Sequence, residues 1–301
     1  MEGLCDRMIC AYAIAKNEEE NIPRFIEQTK LFDQVVVLDT GSEDRTVELL
    51  REAGILVEVK NYKEFDFSKA RTEAMELANS EVEWFLWIDF NETLEITQGQ
   101  IDHIKNGDAD GYKINCYDYY NKDYLENKLK IHRRNKYRWA YAVHEYLVPV
   151  SDDIKLDYID VKITKKKRQS YEKDRFQTMI CERELNKGLE HHDDIAHYSW
   201  WAIAFYNDNE IWYRVAHHAN NYIKYTYPYT IEFRVYCFIY LCNYDMTEGK
   251  RDKAIDNAIH ALSESIIFRD RVPACFQKAI NNLNALGVEL TVHQIQNGVT
   301  E

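Results

Sequence analysis

With 301 residues, 46% of them hydrophobic and 30% charged, the chain is long enough for two domains of ordinary size and has the apolar side chains to fill them. Lys and Arg number 38 against 51 Asp and Glu, a formal net charge of -13, which argues against a uniformly basic nucleic-acid binder and, at this apolar content, against a disordered chain. The seven cysteines, Cys5, Cys10, Cys116, Cys181, Cys237, Cys242 and Cys275, contain no C-x-x-C pair, so buried thiols in a reducing, cytoplasmic compartment are expected rather than a disulfide framework or a zinc ribbon.

The first ninety residues alternate between strand and helix signals. Residues 8–15 are predicted as a strand and 19–31 as a helix with Pro23 in its first turn, where a missing N–H is harmless. Residues 35–38, Val-Val-Val-Leu, are the unbroken apolar run of a parallel strand covered on both faces. Ser42 is expected to cap a helix running to Ala53, with Gly54 as its stop. A third strand follows at 55–59. A helix is predicted over 68–78, with Ala70, Ala74, Leu77 and Ala78 on one face, and a fourth strand at 84–88. This rhythm predicts an α/β fold with a doubly wound, mostly parallel sheet.

Between Asp110 and Lys165 the helical rhythm stops. Residues 111–117, 128–134, 140–150 and 156–164 are predicted as strands that extend the sheet at one edge or form a small second sheet. After the basic run Lys165-Lys166-Lys167-Arg168, taken as a solvated linker, helical patterns dominate. They fall near 171–189, 195–207, 210–225, 230–246, 251–266 and 270–285. In 251–266, Ala254, Ile255, Ala258, Ile259, Leu262 and Ile266 form one apolar stripe. The expected division is therefore an α/β domain over 1–168 and an all-helical domain over 169–301. Short connections at 207–209 and 248–250 suggest antiparallel hairpins resembling a degenerate tetratricopeptide-type stack, without a clean 34-residue repeat.

The N-terminus has no apolar stretch, so no signal peptide is expected, and the longest apolar runs fall far short of the roughly 20 residues of a membrane span. Polar clusters follow three of the predicted strands: Lys16-Asn17-Glu18, Asp39-Thr40-Gly41-Ser42 and Asp89-Phe90-Asn91-Glu92. In an open parallel sheet the carboxyl ends of the strands line one crevice, so the three clusters should converge there. The loop after the first strand has no glycine, and both the dinucleotide fingerprint and the G-x-x-x-x-G-K-[ST] loop are absent. Acidic residues in such a place hold a diphosphate only through a bridging divalent cation, and they also bind ribose hydroxyls or a base N–H.

Ala15-Lys16-Asn17-Glu18 with Asn21, the run from Val35 through Asp39-Thr-Gly-Ser to Thr46, Asp66-Phe-Ser-Lys-Ala-Arg71 to Ala74, and Trp87-Ile-Asp89-Phe-Asn-Glu92 resemble, in this order, the motifs of family-two glycosyltransferases with the GT-A fold. Arg138-Trp-Ala-Tyr-Ala-Val-His144-Glu145 resembles the V-H-E segment of a subgroup that carries helical, tetratricopeptide-like tails. The resemblance covers about residues 8–150. It implies an inverting transfer of a sugar from a nucleotide-sugar, with UDP the expected nucleotide. The acceptor stays open: glycan, lipid-linked glycan, peptide or modified DNA base.

The same resemblance implies that Ala15, Asn17, Glu18, Asp39, Gly41, Ser68, Arg71 and Asp89 bind the donor nucleotide. Asp89, Asn91 and His144 are then the expected ligands of one Mn²⁺ or Mg²⁺. Asn91 departs from the family's Asp-x-Asp, and a neutral amide is a weaker ligand than a carboxylate, which lowers the expected metal affinity or leaves basic side chains to neutralise the leaving group. Glu145 is the candidate base, with Glu92 its competitor. Residues 128–138, rich in Lys and Arg, are expected to bind the donor or to be structural. Trp200, Trp201 and Trp212 are expected in a helical core, and His191-His192 and His217-His218 at the surface. A homodimer through the helical domain is a further expectation. Two rivals remain: a metal-dependent nuclease or phosphatase, and a catalytically dead sugar-nucleotide-binding module.

Overall fold

The computed structural model describes residues 7–118, 124–166, 170–225, 231–267 and 273–288. The chain divides into two compact units, Met1–Ser170 and Tyr171–Glu301. The structure bears out the α/β class. The first unit is built on an eight-stranded sheet in which parallel pairings predominate.

Strand β1 (Met8–Ala15) lies between β2 (Gln34–Asp39) and β4 (Val82–Trp87), and β3 (Leu56–Val59) flanks β2, all four parallel. Side chains alternate across β1. Ile9, Ala11, Ala13 and Ala15 enter one core, while Cys10 and Tyr12 enter the other. The first core takes Ile22 and Phe25 of helix α1 (Ile22–Thr29) and Leu50 of α2 (Thr46–Glu52). It also takes Ile101 and Ile104 of α4 (Gln98–Asn106). The second core takes Ala70 and Ala74 of α3 (Phe67–Glu76). The chain steps to β2 on one side of β1 and later crosses back to β4 on the other. This makes β1 the switch point of the sheet and opens a crevice at the strands' carboxyl ends.

Two boundaries differ from expectation. Helix α2 starts at Thr46, not after Ser42, because Ser42 bonds Asp39 and Asn17 while the Thr46 amide donates to Asp44 Oδ1 at 3.0 Å. Helix α3 is capped by Asp66, whose side chain accepts from the Lys69 amide at 2.9 Å. Helix α4 has no counterpart in the sequence reading; a capping box of Thr97 and Gln100 starts it.

The remaining strands both extend the sheet and form a second one. Beyond β4 come β7 (Tyr124–Arg133), β6 (Gly111–Asp118), β10 (Leu156–Lys165) and β5 (Glu92–Glu95). Of the strand expected over 140–150 only β9 (Tyr146–Pro149) forms, and it pairs antiparallel with β8 (Tyr137–Ala140) as a separate ribbon. Tyr141 and His144, between them, take positive φ values of 69° and 54°, which end one strand and turn the chain into the next.

Under α3 and the ribbon runs a buried polar chain. The Trp139 indole N–H donates to the Tyr12 hydroxyl at 3.0 Å, and Tyr12 lies 3.0 Å from His132 Nε2. Burial drives the His132 pKa down to about 4. Between pH 6.5 and about 4 only the unfolded chain then takes up this proton, so the stabilisation is complete above pH 6.5 and falls as pH drops toward 4. Denaturant titrations monitored by tryptophan fluorescence should show the protein losing about 3 kcal/mol more over that window than His132→Gln does. Equal slopes would remove His132 as the cause.

The second unit consists of α5 (Tyr171–Leu185), α6 (His192–Asp208), α7 (Trp212–Tyr225), α8 (Ile231–Thr247), α9 (Arg251–Ile267) and α10 (Pro273–Ala285), each packed on the next. Ala254, Ala258 and Leu262 of the predicted stripe are fully buried and Ile255, Ile259 and Ile266 lie against the same core. Trp200 packs on Phe233 with ring centroids 4.2 Å apart, and Trp201 is more exposed. The side chains of Trp212 and His192, and Cys5, Lys167 and Arg168, lie outside the described residues. His218 is a correction. It is buried, not superficial, with Nε2 3.0 Å from a Glu182 carboxylate that also binds Tyr206 and Arg214. Glu182 sits on a different helix, so no local pattern marks the pair. The other six cysteines are buried with free thiols. No helix among the described residues is long and apolar enough to cross a membrane.

Candidate active site

The sheet register brings the three polar clusters to one edge. Ala15 pairs with Asp39 across β1 and β2, and the Ile88 amide, just past β4, donates to the Tyr12 carbonyl. The loops after β1 and β2 are laced together. The Asn17 amide donates to Ser42 Oγ at 2.8 Å, the Glu43 amide to Asn17 Oδ1 at 2.8 Å and the Glu18 amide to Thr46 Oγ1 at 2.7 Å. Glu18 accepts from Asn21, which accepts from Arg24, and Arg24 donates to the Phe90 carbonyl beside Asp89.

Asp39 has no exposed surface. Its carboxylate accepts the Gly41 amide at 3.0 Å, the Ser42 amide at 2.9 Å and the Ser42 hydroxyl. Its part here is to fold the loop around Gly41. That glycine has a φ of +101°, and a Cβ on it would stand 2.4 Å from Asn61 Oδ1, so the turn needs a residue without a side chain. Ser68 is half-buried and donates to Asp66, stiffening the start of α3.

The chemistry concentrates on Arg71. Projecting from α3 and only 5% exposed, it gives Nη2 to Asp89 Oδ1 at 2.8 Å and Nε to Glu145 Oε1 at 2.6 Å. Its guanidinium lies 4.6 Å from the Trp87 ring and 5.0 Å from that of Trp139. Glu145 reaches it because the Phe67 amide donates to the Ala142 carbonyl, tying the β8–β9 connection to the head of α3. Burial opposes the charge on Arg71, but Asp89 and Glu145 outweigh it and hold the group protonated. Burial likewise opposes ionisation of Asp89, and Arg71 and Lys165 overcome it, holding that carboxyl well below the usual range.

Glu92 lies beneath this layer, 2% exposed. Its Oε2 binds Lys130 Nζ at 2.7 Å and accepts the Asp89 amide at 2.9 Å. Lys130 is sealed in and sits 3.2 Å over the Trp87 ring, and its burial pulls its pKa down to about 8 although Glu92 pulls the other way. Glu92, the competing base, is thus placed as the inner support of the Asp89 loop. The basic stretch is largely structural: Arg133 binds Glu83 and the carbonyls of Ala109 and Gly107, and Arg134 the carbonyls of Val82 and Asn79.

Lys165 is a second correction. Taken as linker, it is the last residue of β10, with Nζ 3.3 Å from Asp89 Oδ2 and 3.8 Å from Glu92 Oε1. A signal for it exists in the sequence. Ile159, Val161 and Ile163 are buried at alternate positions, and Lys165 continues their face.

The expected metal ligands do not fit a resident divalent cation. Both Asp89 oxygens are already in ion pairs, and the Asn91 amide nitrogen donates to the Lys166 carbonyl at 2.8 Å. His144 is partly exposed in the left-handed turn of the ribbon. Among the described residues no group of three or more His, Cys, Asp or Glu side chains is placed to hold a metal ion. The charges of Asp89, Glu92 and Glu145 are balanced by those of Arg71, Lys130 and Lys165, which leaves no excess negative charge to draw in a dication.

The family model described as glycosyl transferase family 2 matches residues 10–155. Over 106 residues the chain is 33% identical to an uncharacterized glycosyltransferase of Rickettsia bellii (strain RML369-C), a match covering 35% of this chain and 35% of the relative. Over 82 residues it is 38% identical to a TPR repeat-containing protein of Synechococcus elongatus, covering 27% of this chain and 20% of the relative. The matches thus span 20% to 35% of these relatives' length. Among solved structures the chain is similar to S. aureus TarS 1-349 in complex with UDP-GlcNAc, at 13% identity and a TM-score of 0.43, covering 93% of this chain and 90% of that one.

Proposed function

We propose, on the match of residues 10–155 to the family model described as glycosyl transferase family 2, that the chain is an inverting glycosyltransferase that moves a sugar from a nucleoside-diphosphate sugar, UDP-sugar first among the candidates, to an acceptor hydroxyl. The observation that carries this reading is Arg71 gripping Asp89 and Glu145 together at the edge where β1, β2 and β4 end. A buried, charge-balanced cluster is costly to assemble, and such clusters concentrate at functional sites.

In this reading the nucleoside lies along the laced loops of Asn17, Glu18 and Asp39–Gly41, and the diphosphate lies toward Asp89. The acceptor oxygen attacks the anomeric carbon from the face opposite the diphosphate. The bond from that carbon to the phosphate oxygen breaks, and its electron pair leaves with the nucleoside diphosphate. Glu145 takes the acceptor's proton. A single displacement inverts the anomeric centre. Arg71 fixes the orientation of Glu145 through Nε.

A ligand that binds only the folded chain raises its melting point, by about 2.7 kcal/mol of added stability at a hundred times Kd. Thermal shift with UDP-, GDP- and dTDP-sugars, followed by an assay for released nucleoside diphosphate, tests the reading. One nucleotide series should raise the melting temperature by several degrees and be turned over slowly in water. No shift with any of the three would defeat it.

A further inference from the structure

We propose that this site holds the donor diphosphate without a divalent cation, with the ammonium of Lys165 supplying the positive charge that a metal ion would otherwise bring. The proposal rests on the glycosyltransferase reading above and concerns how that donor is neutralised.

A divalent magnesium or manganese ion needs several hard oxygen donors with net negative charge around it. Here the one carboxylate at the expected place, Asp89, has Oδ1 bonded to Arg71 and Oδ2 to Lys165. The residue two positions on is Asn91, a neutral amide whose nitrogen is fixed to the Lys166 carbonyl, and the adjoining backbone is fixed too, since the Lys166 amide donates to the Asn91 carbonyl at 3.0 Å. A dication bound by Asp89 would compete with the ion pairs already on both of its oxygens, and Asn91 would add only a neutral amide oxygen. Two cationic side chains would then stand beside it, and they repel it.

One cation of the cluster is open to an anion. Of the three cations in the cluster, Arg71 is 5% exposed, Lys130 is not exposed at all, and Lys165 is 36% exposed. An incoming diphosphate therefore meets Lys165. A lysine ammonium is a compact point charge with three rotatable donors, so it can turn from Asp89 toward a phosphate oxygen without moving its strand. Its place is fixed by pairing, since Lys165 stands opposite Glu92 where β10 meets β5 and is in parallel register with Asp118 of β6. Arg71 stands beside it, and its Nη1 is buried with no hydrogen-bond partner among the described residues. In the transfer step the electron pair of the broken carbon–oxygen bond passes to the departing phosphate oxygen. Lys165 stabilises that charge and no proton need move to it.

The test uses the full chain and isothermal calorimetry with UDP, GDP and dTDP, each titrated in excess EDTA and again in 1 mM MnCl2. The nucleotide that binds should have dissociation constants in the two buffers that agree within fivefold. Lys165→Met should weaken that diphosphate at least tenfold in EDTA while shifting the parent nucleoside less than twofold, and Lys165→Arg should restore most of the loss. A manganese effect larger than fivefold on the unaltered chain overturns the proposal, and this arm needs no variant to fold. So does a Lys165→Met protein that keeps its melting temperature and its affinity. Binding of none of the three in either buffer rejects the donor reading itself, and this proposal with it, whereas binding that needs manganese rejects this proposal alone.

Discussion

Replacing Arg71 with methionine should lower the stability of the chain by about 3–5 kcal/mol and abolish nucleotide binding, the largest combined effect of any single change in the first unit. Methionine fills the slot between Trp87 and Trp139, so the loss is not one of volume. What remains is Glu145, 11% exposed, with its only described cation gone, and Asp89 with Lys165 alone. Removing one partner from a buried pair leaves the other's desolvation uncompensated, which outweighs the modest value of the pair itself. Differential scanning calorimetry should show a drop on the order of 10 °C. The cause can be separated from general damage by a second change. Arg71→Met combined with Glu145→Gln removes the stranded charge and should recover a large part of the stability, while nucleotide binding stays lost. If the double variant is no more stable than Arg71→Met alone, the uncompensated carboxylate is not the reason.

The parts of this fold that sequence made legible are those governed by short-range pattern. Val35 to Leu38 could only be a covered strand, and the polar residues after β1, β2 and β4 marked a common edge because a parallel sheet aligns its carboxyl ends. Arg71, Asp89 and Glu145 were named from motifs, but nothing local said that one guanidinium would bridge both carboxylates across 18 and 74 positions of chain. Ser42 was read as a helix cap because a serine before a helical stretch ordinarily is one. Here it serves Asp39 and Asn17, and tertiary bonding overrode local preference. Lys165 was misjudged for a related reason: a lysine in a basic run is ordinarily solvated, whereas this one answers Asp89 and Glu92 brought by the turn after another strand. The shortening of the strand expected over 140–150 to β9 lies in Tyr141 and His144 at positive φ, a conformation these side chains rarely adopt and composition does not announce.

Glu145→Gln and Glu92→Gln should fail in opposite ways, and the contrast assigns the base. Glutamine at 145 keeps the shape of the side chain and an oxygen for Arg71 Nε, so the ribbon stays docked on α3 and the melting temperature falls only slightly. An amide cannot take a proton from the acceptor. Steady-state transfer should therefore fall by about 10²–10⁴ in kcat, with the donor's dissociation constant within a few-fold of the unaltered chain. Glutamine at 92 lies beneath Asp89 and leaves Lys130, which has no exposed surface, without its anion. That variant should lose roughly 3 kcal/mol of stability, and what protein remains folded should keep most of its kcat. The reasoning is geometric. Glu145, 11% exposed, lies on the connection between β8 and β9, whereas Glu92, 2% exposed, is sealed beneath the Asp89 loop, bonded to an amide and an ammonium that hold it there. If Glu92→Gln abolishes transfer in a stably folded chain while Glu145→Gln spares it, the proton goes to the inner carboxylate and the loop above it must open for the acceptor to reach it.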